Sequence, residues 1–210
     1  MDAMRKRAIC MVLLGVLLVS CKGEKYNVDN SSITAGENKT VSLKSKEYYA
    51  KEDKGFNIIY DYDSVVSICN DICEEFVRAV TEHNKADFSP YINNENLKEY
   101  MQYRVDNHIY SYDETSIYKL MITEVKFHDE YVLISGITGA VEEPNSSSLQ
   151  GINYFLIKNV DGRLYIADWY WDHMDSPDIT LRGEFSEKNN LTYWDNPEKY
   201  GSILKKISNI

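Results

Sequence analysis

Asp168, Asp172 and His173 flank the aromatic run Trp169-Tyr170-Trp171, and these are the side chains of the 210-residue chain that could move protons beside an aromatic wall. A carboxylate set against an aromatic wall loses hydration and its pKa rises, as a general base or acid near neutral pH requires; an imidazole titrates there unaided. On an extended strand Trp169 and Trp171 share one face and Tyr170 takes the other. The paired indoles would offer a stacking platform for a sugar or a peptide, with Tyr100 and Tyr103 facing them. Two plainer roles compete with this chemistry. The covered face of any sheet is apolar, which accounts for the indoles as core. Asp172 and His173 fall where a strand ends and polar residues meet water, and the pattern favours these structural roles.

Metal chemistry finds less support. Asp172, Asp175 and Asp178 around His173 supply hard oxygen ligands, but their spacing fits no calcium loop. Asp61-Tyr62-Asp63 opens like one, yet Val66 stands where the loop needs glycine and Ile72 where it needs glutamate. His83, His108, His128 and His173 fall on separate predicted elements without zinc spacing. Phosphate-cradling glycine loops, serine nucleophile elbows and zinc-protease helices are missing from the sequence. No cofactor and no metal are expected. Cys69 and Cys73 sit four apart on one helical face, where a disulfide is sterically marginal, so they read as buried thiols.

The elements that must position these residues follow from periodicity. A short strand is predicted at Phe56–Tyr60. A helix follows from about Ser64, capped by Asp63 or Ser64, with Val65, Cys69, Ile72, Cys73, Phe76, Val77 and Val80 on one stripe. A second helix runs from about Asn94 to His108, with Leu97, Tyr100, Met101 and Val105 inward. Beyond Asp113 the period falls to two. Strands are predicted at Ile117–Phe127, Tyr131–Val141, Ile152–Lys158 and Leu164–Trp171, with Glu142–Leu149 as a loop and Asp161-Gly162 as a tight turn. Leu181, Phe185, Leu191, Tyr193 and Trp194 are too apolar for a free tail, and Pro197–Ile207 reads as a closing helix with proline in its first turn. Helices followed by an antiparallel meander make an α+β domain: N-terminal helices on a curved sheet of at least four strands.

The amino terminus carries a different message. Arg5, Lys6 and Arg7 precede a short apolar run, Ala8–Val19, and Leu18-Val19-Ser20-Cys21 closes it. The run has about a dozen residues where a membrane span needs about 20, so it reads as a cleavable export signal. Its end resembles the lipobox of bacterial lipoproteins. The resemblance implies cleavage before Cys21 and acyl chains on that cysteine, hence an extracytoplasmic domain held on a bacterial membrane, at the cell surface or the periplasmic face. Processing would remove three cations and one anion and take the net charge from −10 to −12. So acidic a surface repels polyanions, and no nucleic-acid partner is expected. Residues 1–20 are thus assigned to the signal, 21–55 to the lipidated cysteine and a polar linker, and 56–210 to one domain.

From Asp63 to Asp175 the order of elements resembles the nuclear transport factor two superfamily, in which a curved sheet wraps a long N-terminal helix into a cone. The resemblance implies a pocket between helix and sheet. In the superfamily's enzymes, such as ketosteroid isomerases and scytalone dehydratase, Asp, His and Tyr inside that pocket move protons. Asp168, Asp172 and His173 are the residues here able to take such parts, although none aligns with an enzyme motif. The expectation is therefore a non-catalytic domain that binds an envelope protein or a small ligand. The alternative is a small isomerase, dehydratase or hydrolase. The superfamily also forms dimers through the open sheet face, so a homodimer is a further possibility.

Overall fold

The structure, a computed structural model, describes residues 46–108, 117–142 and 146–209. The export signal, Cys21 and the linker as far as residue 45 lie outside the described residues.

Helix α1 spans Ile58–Glu82 and begins six residues before the start predicted at Ser64, so Phe56–Tyr60 is not a strand. The strand-like spelling Ile58-Ile59-Tyr60 is overridden by capping. The Asn57 side chain accepts from the Ile59 amide at 3.1 Å, and the buried Asp61 carboxylate accepts from the amides of Lys51 and Asn57 at 2.7 and 2.6 Å. Intrinsic propensity is a weak influence beside three satisfied amides. Val65, Ile68, Cys69, Ile72, Cys73, Phe76 and Ala79 form the buried stripe. Both cysteines are free thiols, and burial pushes their pKa values up, which keeps them protonated and inert. Helix α2, Glu95–Asp106, is capped by Asn94, whose side chain accepts from the Leu97 amide at 3.2 Å.

Four antiparallel strands pair in chain order: β1 Ile117–Phe127, β2 Val132–Glu142, β3 Ser146–Val160 and β4 Arg163–Asp172. The architecture is α+β, as the change of period indicates. Strand β3 starts earlier than Ile152, because Ser146, Ser147 and Ser148 pair with Glu142, Val141 and Ala140. A serine run carries no hydrophobic alternation, so its extension was invisible to periodicity. Asp161 and Gly162 take φ of 51° and 85° in the β3–β4 turn, the left-handed geometry expected of Asp-Gly.

One sheet face carries Val132, Ile134, Phe155, Ile157, Leu164, Ile166 and Trp169 into the core shared with α1. Helix α1 meets both edge strands, β1 and β4. The other face carries Tyr154 and Tyr170, and the C-terminal segment lies over it: Phe185 stacks on Tyr154 at 4.3 Å and packs against Tyr170 at 5.4 Å. That segment comprises a wide turn, Asp178–Arg182, the short helix α3, Glu187–Asn190, and α4, Pro197–Ile207, with proline in its first turn. Leu181, Trp194 and Ile203 bring it into the core. The packed chain also reaches upstream of Phe56. Tyr48 is buried, its carbonyl accepts from the Leu164 amide at 2.8 Å, and Ala50 donates to the Gly162 carbonyl at 2.8 Å.

Candidate functional site

Strand β4 alternates until Ile166, and there a bulge changes its phase. Ile157 pairs with Ile166 but Leu156 pairs with Asp168, so Ala167 is the extra residue. Ile166 and Trp169 therefore both enter the core, while Asp168 turns to the C-terminal segment. There both oxygens of its carboxylate are engaged. One oxygen accepts from Trp194 Nε1 at 2.7 Å; the other accepts from Asn190 Nδ2 at 2.7 Å and Arg182 Nη2 at 2.5 Å. Asp178, also buried, accepts from Arg182 Nη1 at 2.7 Å, the Tyr100 hydroxyl at 2.9 Å and the Trp171 amide at 3.0 Å. Arg104 completes the group 3.4 Å from Asp178 and donates to the Trp169 carbonyl at 3.0 Å.

Two anions and two cations thus neutralise one another in the interior, as buried charges must. Burial alone would lower the Arg182 pKa; Asp168 and Asp178 outweigh it and hold the guanidinium charged. Tyr100, Tyr170, Tyr193 and Trp194 surround that guanidinium with ring centroids 4.7 to 5.7 Å away, so the faces of its plane are covered as well. This network fastens the last 35 residues to β4 and α2. It engages both oxygens of a fully buried Asp168 and so gives that residue the structural role which the sequence pattern favours over that of a general base. Asp178 belongs to the same network, with the guanidinium groups of Arg182 and Arg104 as its cationic neighbours.

The indoles divide. Trp169 is 2% exposed, packs against Phe76 at 5.4 Å and Phe155 at 5.0 Å, and donates from Nε1 to Asn153 Oδ1 at 2.8 Å. It is core, and so is Tyr100, 1% exposed with its ring 4.8 Å from Trp194. Trp169 lines no described pocket, and Tyr100 only borders a groove between α2 and α4. Trp171, 5% exposed, is also buried but lines a crevice. Gly151, at φ 96°, lets β3 pass it, since a Cβ there would stand 2.9 Å from Trp171 Nε1. His173 stacks on Trp171 at 5.1 Å, and the His108 ring lies 6.0 Å from the same indole. Asp172 is exposed at the end of β4, away from the buried network.

Three expected site residues therefore meet at one place, the C-terminal end of α2. Tyr103 and Trp171, with Arg104, Asn107, His108, Asp175 and Pro177, line a crevice of about 80 Å3 that His173 borders. Tyr103 also lines a neighbouring groove of about 120 Å3 between α2 and α4. His108 is drawn down to a pKa of about 4, first by burial and then by the Arg104 cation, so it is a neutral imidazole at neutral pH. The crevice combines the rings of Tyr103, Trp171 and a neutral His108 with one cation, Arg104, and one acid, Asp175. It suits insertion of one side chain.

Sequence reasoning missed Arg182, Asn190, Trp194 and Arg104 as partners of the acids. Only the spacing of Asp178 and Arg182, four apart, carried a signal, and nothing in it announced burial. No protein-family model, curated protein or solved structure matches the chain.

Proposed function

We propose that this chain is a lipid-anchored extracytoplasmic domain that binds a protein of the cell envelope and does no chemistry of its own. The observation that carries the binding half is the filled interior: the space between α1 and the sheet is occupied by Phe76, Phe155, Trp169 and their neighbours. Small-molecule sites span roughly 300 to 1,000 Å3. A crevice of about 80 Å3 admits a side chain, not a cofactor or drug-sized ligand. That size favours a protein partner over a free small ligand. A larger hollow of about 690 Å3 beside Thr192, Asp195 and Glu198 is open surface with no aromatic wall.

The anchoring half rests on the apolar run and Cys21. Contact of α1 with both edge strands supports a sheet curved around the helix, the cone arrangement of the nuclear transport factor two superfamily. A cone filled by its own side chains becomes a scaffold, and its rim is where a partner docks. Replacing Tyr103 by photo-reactive benzoylphenylalanine in the producing cell tests the reading. One discrete cross-linked adduct is expected from position 103 and none from Glu82 at the exposed end of α1. No adduct from position 103 or from Asn107 would contradict it.

A further inference from the structure

Four large side chains stand in solvent at the start of α1. Ile58, Ile59, Tyr60 and Tyr62 are 62, 81, 62 and 45% exposed, and no other five residues of the described chain expose as many large apolar groups. First helical turns commonly fray, which would make such exposure unremarkable. This one is braced: Asp61, 1% exposed, holds the Lys51 and Asn57 amides from the same turn, and Asn57 caps Ile59. The apolar groups are consequently presented as a fixed crown around a buried carboxylate. Lys51 lies over the Tyr60 ring at 5.4 Å, and Lys54, four residues before Ile58, is exposed.

We propose that this crown seats on the lipid bilayer to which Cys21 anchors the chain. The inference rests on the lipidation read above. Isoleucine at the acyl boundary, tyrosine at headgroup level and lysine beside phosphate are the components of an interfacial contact. Exposed Glu52, Asp53 and Asp63 deny the crown a net positive charge, so the contact is apolar and does not need anionic lipid. Its reach is sufficient. The first described residue, Lys46, pairs with Asp71, and α1 rises about 18 Å between Asp71 and Ile59. The 24 residues between Cys21 and Lys46 span about 80 Å when extended. An anchored chain holds the crown near the bilayer at high effective concentration, so a contact too weak for the free domain becomes occupied. Phe76, against which His108 packs, lies about 25 Å further along α1. Seating the crown therefore turns the crevice away from the membrane.

The test uses the full acylated chain, reconstituted into phosphatidylcholine vesicles with a minor share of phosphatidylglycerol. A nitroxide is placed at Ile59→Cys or, at the crevice end, at Met174→Cys, which is 83% exposed. Cys69 and Cys73 are buried and do not compete for the label. The label at position 59 is expected to be about tenfold less accessible to a water-soluble nickel complex than the label at 174, and more accessible to oxygen dissolved in lipid. Equal nickel accessibility in a chain that still floats with the vesicles would overturn the seating while leaving lipidation intact. A chain that carries no acyl group and does not float would overturn both. Shielding of position 59 before reconstitution, with a doubled mass, would assign the crown to a second copy instead.

Discussion

Asp168 shows how the same residue reads differently before and after its neighbours are known. Its aromatic company is visible in the sequence, and from that company a raised pKa and a catalytic role follow. What decides its role is the bulge at Ala167 and the arrival of Arg182, Asn190 and Trp194, from 14 to 26 residues downstream. Neither can be read from local spacing. The structural role has a measurable consequence. Asp168→Asn leaves the buried Arg182 guanidinium with only Asp178 to balance it, and is expected to cost about 3 kcal/mol in urea unfolding. Asp172→Asn, at an exposed strand end, is expected to stay within about 0.5 kcal/mol. His108 supplies a pH dependence. Its folded pKa of about 4 lies below the ordinary value of about 6.5, so between those pH values the unfolded chain binds more protons. Stability then rises with pH through this window and is lost as pH falls through it. His108→Phe is expected to remove about 2 kcal/mol of the change between pH 7 and pH 5, compared with the parent chain by urea titration at each pH.

Among the elements, those with strong periodicity or clear caps were legible. Asn94 and Pro197 mark the starts of α2 and α4, and Asp161-Gly162 marks the last turn. The start of α1 was not legible, because Ile58-Ile59-Tyr60 spells a strand and the cap depends on a carboxylate that bonds back to Lys51. Asp61→Ala is expected to destabilise the domain by about 2 kcal/mol, seen in thermal unfolding, since two partly buried amides lose their acceptor. The C-terminal segment was recognised as packed from its apolar residues, but its charges were not recognised as the fastening. A chain ending at Asp175 loses Asp178, Arg182, Asn190 and Trp194 together. It is expected to show no cooperative unfolding transition by near-ultraviolet circular dichroism, whereas a chain lacking only Ser208 to Ile210 should unfold as the parent does.

On the scale of the whole molecule, the two ends of α1 differ in kind. One end carries the exposed crown; at the other, Phe76 and His108 adjoin an aromatic crevice sized for a single side chain. A domain with a filled interior acts through such surfaces, and anchoring at Cys21 would give them an inside and an outside relative to a membrane. The α+β class was legible because it needs only the count and order of periodic segments. The filling of the layer was not, because a sequence shows which residues are apolar and not whether they meet. Everything proposed about orientation and partner depends on the acylated cysteine. Its most direct test is the intact mass of the amino-terminal peptide of the protein extracted from membranes of the producing cell. The account expects a peptide that begins at Cys21 and carries a diacylglyceryl group. A peptide that retains Met1, or that begins elsewhere with Cys21 unmodified, would contradict it.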